Sequence, residues 1–345
     1  MEDNNYIVCV KCPTYNQVSY IEDAMNGFCI QETTFPFVCM IIDDASTDGE
    51  PEVIRKYLQE HFDLEDKTIA RDEETDDYVL TFARHKTNQN CFFAVLYLKY
   101  NHYSIKKSKA SYMAELNNNA KYIAFCEGDD YWVASDKLQR QIQFMEKQTD
   151  CVMTISNGIG LDTISGEKKK LNPIPINSSR YLTMPEILIE KGCLIPTASM
   201  CLRSQLYFSR PQNFKNPYVG DRPLRMWCAV NGKLYYDIEP LVVYRQGSIG
   251  SFGCRTAKDP IYARNVMVSM CDFFDFFDNY THYNYHSEVL YMKERECYSF
   301  YIKTNNLYKI LSNKFYLQLS FQKRKDVFIR LLKNNIKILL GLNQK

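Results

Sequence analysis

The segment Phe37-Val38-Cys39-Met40-Ile41-Ile42 is an unbroken apolar run. A strand with water on one face alternates apolar and polar side chains. A run with no polar member needs cover on both faces, as in a parallel sheet layered with helices. Its surroundings agree. Ile7-Val8-Cys9-Val10 reads as a first strand, residues 18–30 as a helix, and the apolar run as a second strand. Asp48-Gly49-Glu50-Pro51 supplies a turn and a proline suited to a helix start, after which Val53, Ile54, Tyr57, Leu58 and Phe62 share one helical stripe. Residues 78–82 read as a third strand and 122–126 as a fourth, while the stretch between them, with Asn117-Asn118-Asn119, shows no pattern. After Ser135, read as a cap, Leu138, Ile142 and Met145 recur at helical spacing. Mixed structure follows from Cys151 to about Ser251, with strands at 151–156, 198–202 and 241–244. Beyond Asp259 the chain reads as mainly helical, and Phe273, Phe274, Phe276 and Phe277 are assigned to core or interface.

With 345 residues the chain buries a sizeable core. Lys+Arg 42 against Asp+Glu 41 leaves a net charge of +1, so no whole-chain field points to nucleic acid. The start, Met1-Glu2-Asp3-Asn4-Asn5, has no secretory-signal pattern, and no apolar run is long enough for a bilayer. The 13 cysteines are scattered through apolar segments, which fits small core residues in a reducing cytoplasm. Cys9 and Cys12 form a C-x-x-C pair, but an odd spacing on a strand points them to opposite faces, so they read as structural.

Three segments fall where an open parallel sheet places its ligands, at the carboxyl ends of strands. They are Cys12-Pro13-Thr14-Tyr15-Asn16, Asp43-Asp44-Ala45-Ser46-Thr47-Asp48-Gly49, and Glu127-Gly128-Asp129-Asp130-Tyr131-Trp132. Carboxylates gathered at a nucleotide site repel phosphate unless a divalent cation lies between. Glu127 and Asp129, one residue apart, therefore read as oxygen ligands for Mg2+ or Mn2+, with Asp130 either a ligand or a brace for the loop. Asp43 and Asp44 are candidates to accept hydrogen bonds from a base and ribose. The acidic run Asp72-Glu73-Glu74-Thr75-Asp76-Asp77 reads as a solvated loop, and His85 and His102 receive no role.

The pattern V-x-C-P-T-Y-N, then I-I-D-D-A-S-T-D-G, then Y-I-A-F-C-E-G-D-D-Y-W-x-x-x-D-K-L-x-x-Q resembles the family 2 glycosyltransferases of the GT-A fold over roughly residues 6–250. The resemblance implies an α/β fold with a mostly parallel central sheet flanked by helices and a mainly helical C-terminal extension. It divides the chain into a glycosyltransferase domain, 1–255, with a nucleotide-sugar and metal half (1–132) and an acceptor half (133–255), followed by a helical region, 256–345. It makes Pro13, Thr14, Tyr15, Asn16, Asp43, Asp44 and Asp129 nucleotide contacts and places Arg245 near the phosphates. Asp129 is the leading metal ligand. Glu127 stands where the family more often has aspartate, which opens coordination through a water as an alternative to direct contact. Gly220-Asp221 before the helix at Pro223 resembles the acceptor half, where an acidic residue is the catalytic base; the same residues also suit an ordinary cap.

The expectation is a metal-dependent inverting transfer of one sugar from a nucleoside-diphosphate sugar, a UDP-sugar in the first place, to a cell-envelope glycan or glycolipid. A Q-x-x-R-W motif, which would mark processive synthesis, is absent. The rivals are a sugar nucleotidylyltransferase, which calls for a glycine-rich basic loop after the first strand, and a nucleotide-sugar-binding protein without turnover. Neither G-x-G-x-x-G nor G-x-x-x-x-G-K-[ST] follows a strand. The tail, from Gln322-Lys323-Arg324-Lys325 through Val327, Phe328, Leu331, Leu332, Ile336, Ile338, Leu339 and Leu340, reads as a basic amphipathic helix. It either packs on the chain or a partner or lies on the inner face of an anionic membrane, giving a cytoplasmic protein with a candidate peripheral contact.

Overall fold

The computed structural model describes residues 6–109, 111–114, 120–172, 174, 176–189, 195–248 and 250–339. The opening residues 1–5, the run Asn117-Asn118-Asn119 and Leu340 lie outside them. The chain forms two compact units. The first holds Met1–Thr183, Glu190–Arg210 and Trp227–Ile249; the second holds Met184–Ile189, Pro211–Met226 and Gly250–Lys345.

The first unit is built on one mixed sheet. Its strands are β1 (Val8–Thr14), β2 (Phe37–Asp43), β3 (Phe62–Asp63), β4 (Arg71–Glu74), β5 (Tyr78–His85), β6 (Cys91–Leu98), β7 (Tyr122–Phe125), β8 (Tyr131–Trp132), β9 (Cys151–Asp162), β10 (Lys168–Lys170), β11 (Arg180–Tyr181), β12 (Cys201–Arg203) and β13 (Lys233–Gln246). The order is β11-β13-β9-β12-β7-β1-β2-β6-β5-β3. The centre, β7-β1-β2-β6, is parallel, and β12 and β5 join it antiparallel on either side. The parallel neighbour of β2 is thus β6 rather than the 78–82 strand, which returns as the antiparallel arm of a hairpin.

All seven residues of β2 are buried. Helices α1 (Ile21–Cys29), α2 (Glu50–His61) and α3 (Lys137–Lys147) supply cover through Ile21, Met25 and Phe28, through Ile54 and Leu58, and through Leu138, Ile142 and Met145. Each fully buried side chain of this size contributes about 1.5–3 kcal/mol, more than the ~1 kcal/mol span of strand propensity, so burial decides where the strands lie. Cys9 and Cys12 are both fully buried and in no disulfide, and burial pushes the Cys9 thiol up to about 12, as befits core residues. The acidic run is partly an exposed edge strand, β4. Asp77 beyond it accepts Lys107 Nζ at 2.7 Å and the Tyr112 hydroxyl at 2.7 Å. The cap of α3 is Asp136, one residue after the expected Ser135.

Lys137, the first residue of α3, is fully buried, donates to Gln141 Oε1 at 2.8 Å and lies 4.0 Å from the Trp132 ring centroid. Burial lowers its pKa from 10.5 to about 8. The unfolded chain therefore binds one more proton between those values, and stability rises with pH across that window and is lost as pH falls toward the folded value. The full effect is about 3 kcal/mol. Urea titrations at pH 8 and 10.5 should show the stability of the native chain relative to Lys137→Met rising by about this amount, since the buried thiols titrate alike in both; a difference that does not change with pH would contradict it.

In the second unit, α4 (Asp221–Asn231) begins, and α5 (Phe252–Lys258), α6 (Pro260–Tyr280), α7 (His286–Lys303), α8 (Leu307–Leu311), α9 (Lys314–Gln318) and α10 (Phe321–Leu339) follow. Phe214 is buried among Phe273, Phe276, Phe277 and Tyr280, with ring centroids 5.5–6.4 Å away, so this aromatic stripe is packing surface. Among the described residues, no helix is long and apolar enough to cross a membrane.

Candidate active site

Strands β1, β2 and β7 run parallel, with Thr14 level with Asp43 and Lys11 level with Phe125. The segments leaving their carboxyl ends therefore share one sheet edge. Backbone bonds tie them there. The Asp44 N–H donates to the Thr14 carbonyl (3.1 Å), the Cys126 N–H to that of Lys11 (3.1 Å) and the Gly128 N–H to that of Pro13 (3.2 Å). Asn16, at φ 54°, donates its N–H to Ser46 Oγ and accepts the Thr47 N–H at Oδ1, both at 2.8 Å. Ala45 lies at φ 63°. That conformation costs a residue with a Cβ about 1–2 kcal/mol and is kept where backbone must be aimed. Pro13 and Tyr15 are exposed on this edge, and Thr14 is buried.

Glu50, which the sequence reading passed over, is the hub of the first two segments. It is fully buried and accepts the Ser46 hydroxyl (2.9 Å), the Gln17 N–H (2.9 Å) and the Thr14 hydroxyl. Burial raises its pKa, and these donors work against the rise. Its only sequence signal is an acidic residue in the first turn of a helix, which is ordinary. Asp43 is 2% exposed and accepts the Ser46 N–H at 3.2 Å; burial lifts its pKa above the ordinary value. Asp44 is engaged by the 102–109 segment. It accepts the His102 N–H (2.8 Å) and the Tyr103 N–H (3.1 Å), and pairs with Lys109 Nζ (2.8 Å). The Asp44 carboxylate therefore already fixes this segment.

In the third segment, a Cβ on Gly128 would stand 2.3 Å from Thr14 Oγ1 and 2.5 Å from Gln17 Oε1, so only glycine permits the approach. The Asp129 carboxylate accepts the Ser248 hydroxyl at 2.7 Å, and its carbonyl accepts Arg245 Nη1 at 2.9 Å. Asp130 is buried and accepts the Arg245 N–H at 2.8 Å, the bond of a brace. Burial, with Asp129 and Glu127 adding to it, pushes its pKa well up. The Arg245 guanidinium lies 4.9 Å and 4.7 Å from the Tyr20 and Tyr131 ring centroids and pairs with Asp23. Ser248, Asp23 and Lys109 are single polar residues outside the quoted motifs, and only the fold reveals their part.

Glu127 and Asp129 are both half-buried. Among the described residues, no three His, Cys, Asp or Glu side chains gather as a metal cage. Two carboxylates one residue apart suit a hard cation that takes phosphate oxygens and waters as its remaining ligands, so the residues present fit Mg2+ or Mn2+. Asp221 opens α4 in the second unit, 3.0 Å from Arg225 Nη1. Burial acts to raise its pKa, but Arg225 and Arg222 outweigh it and hold the carboxyl below its ordinary value. Arg222 also pairs with Glu296 at 2.6 Å.

The sequence model described as Glycosyl transferase family 2 matches residues 9–208, more than half of the chain. Uncharacterized proteins of Mycobacterium tuberculosis and Mycobacterium bovis are 29% identical over 238 residues, covering 69% of this chain and 58% of theirs. The chain thus spans little more than half the length of these curated relatives. Among solved structures, the mannosyltransferase PcManGT from Pyrobaculum calidifontis, in complex with GDP-Man and Mn2+, aligns with a TM-score of 0.49 and 13% identity over 98% of this chain and 88% of that one. S. aureus TarS in complex with UDP aligns with a TM-score of 0.47 and 14% identity, over 96% and 82%. The family match runs through β1, β2 and β7 together with the three segments at their carboxyl ends, and the chain belongs to glycosyl transferase family 2.

Proposed function

We propose that this glycosyltransferase moves a single sugar from a nucleoside-diphosphate sugar, a UDP-sugar in the first place, to a hydroxyl of a cell-envelope glycan or glycolipid. The reaction is an inverting displacement that depends on Mn2+ or Mg2+. The observation that carries the donor reading is the Asp129 carboxylate, oriented by Ser248 on the sheet edge that also presents Thr14, Asn16 and Asp43.

In this reading Pro13, Thr14, Tyr15 and Asn16 line the nucleotide. Asp43 accepts hydrogen bonds from base or ribose, and Asp44 does so while anchoring the 102–109 segment. Glu127 and Asp129 hold the cation, which when bound offsets the charge of the diphosphate. Arg245, held against the Tyr20 and Tyr131 rings, adds a positive charge for the leaving diphosphate that it shares with its partner Asp23. Asp221, kept ionised by its arginines, takes the proton of the attacking hydroxyl.

A thermal-shift screen of UDP-, GDP- and TDP-sugars, each with Mn2+ and with chelator, tests the donor reading. One nucleotide should stabilise the chain by about 2.7 kcal/mol at a concentration 100-fold above its Kd, with Mn2+ only. A screen in which no nucleotide sugar shifts the transition, or in which chelator makes no difference, would refute it.

A further inference from the structure

The closing helix α10 carries two apolar faces, and only one of them is used. Leu331 is 1% exposed and packs with Ile310 and Tyr316, while Val327 joins the same cluster with Tyr298, Tyr301 and Leu319. That face accounts for docking of the helix onto α7, α8 and α9. Phe321, Ile329, Leu332 and Ile336 remain 74%, 38%, 37% and 51% exposed. At 100° per residue these four fall within an arc of about 80°, so they form one stripe rather than scattered exceptions.

The charge around the stripe is one-sided. Over residues 321–336 the helix has Lys323, Arg324, Lys325, Arg330 and Lys333 against the single acid Asp326. Lys323, Lys325, Arg330 and Lys333 are exposed. Lys325 lies within the apolar arc itself, and Lys333 lies just past its edge. Arg330 and Lys333, with Ile329, Asn334 and Asp326, line a surface depression of about 340 Å³. The whole chain has a net charge of only +1, so this excess is local and concentrated where apolar side chains meet water. A second copy of the helix would bring the same positive charges against one another. An anionic bilayer complements both features, since the apolar stripe enters the headgroup boundary and the flanking cations meet lipid phosphates.

We propose that the exposed face of α10 is a membrane-docking surface that seats the enzyme on an anionic bilayer, with Phe321, Ile329, Leu332 and Ile336 inserted and Lys325 and Lys333 at the headgroups. The proposal does not depend on the donor or the chemistry. It gives an enzyme without a spanning helix among its described residues a way to reach acceptors confined to a membrane surface.

The test is co-sedimentation of the full chain with vesicles of phosphatidylcholine alone and of phosphatidylcholine with 30% phosphatidylglycerol, an arbitrary probe composition of roughly a third anionic lipid. The native chain should bind the anionic vesicles and release in high salt. Ile329→Gln/Leu332→Gln/Ile336→Gln should weaken binding at least about tenfold, and each neutralised cation should weaken it about fivefold. Donor turnover in free solution should stay unchanged, and because Ile329 and Leu332 are only a little over a third exposed, the melting temperature is followed to separate lost binding from lost stability. Equal binding to neutral vesicles, or native-like binding by the triple variant, would overturn the proposal. So would vesicle-independent self-association in sedimentation velocity that the triple variant abolishes, because the face would then be an interface between copies.

Discussion

Replacing Asp221 by asparagine is expected to lower turnover by about a hundredfold or more while leaving donor affinity nearly unchanged. A sugar hydroxyl is a poor nucleophile at neutral pH, and asparagine keeps the size of aspartate without its basicity. The competing role for Asp221 is structural, since it faces Arg225, which is fully buried. Removing one partner of a buried pair costs about 3–5 kcal/mol. A purely structural Asp221 would therefore lower the melting temperature and leave turnover per folded molecule intact. Its depressed pKa adds a second readout. The stability from the pairing is present above the unfolded value and is lost as pH falls through the lower folded one, so the folded carboxylate persists below the ordinary aspartate value. An acid limb near neutrality that vanished in Asp221→Asn would contradict the depressed pKa while keeping the base role, whereas a profile and rate unchanged by the substitution would contradict the base role.

Asp129→Ala should abolish the metal-dependent gain in donor affinity and with it the activity. Two phosphates beside several carboxylates need a bridging positive charge, and alanine removes the leading oxygen ligand. Ser248→Ala provides a graded companion. The serine hydroxyl only orients the carboxylate, at 2.7 Å, and loss of such outer support costs roughly 10–100-fold in metal affinity. Titrating Mn2+ calorimetrically in the presence of the nucleoside diphosphate should rank the native chain above Ser248→Ala and Ser248→Ala above Asp129→Ala. Normal donor binding and turnover by Asp129→Ala in chelator would remove the metal from the mechanism.

The strand-end segments were legible because a long apolar strand followed at once by polar residues marks where a buried sheet meets solvent. Phe37-Val38-Cys39-Met40-Ile41-Ile42 before Asp43 is the clearest case. Strand β6 was not read, since an apolar run such as Cys91-Phe92-Phe93-Ala94-Val95 has no period that separates a buried strand from a buried helix. Strand β13 was read over only 241–244. Pro240 lies within it, and a proline argues against a strand unless the chain is irregular there, as the register shift beside it shows. At the site, motif residues announced themselves, whereas Glu50, Asp23, Lys109 and Ser248 did not. Apart from Ser46, four residues before Glu50, their partners lie 33 to 222 residues away, and single polar residues carry no periodicity.

The bonds from Asp130 to the Arg245 N–H and from Asp129 to Ser248 join segments 115 and 119 residues apart. Closing so long a loop is slow, and on a ribosome the second segment emerges last of the two. The four central strands can assemble on a nascent chain that ends well before β13, but the acidic loop then lacks its clamp. On the proposed reading, the complete donor site therefore forms only once the sheet is complete, and a copy truncated before β13 should bind nucleotide sugar more weakly than the full chain.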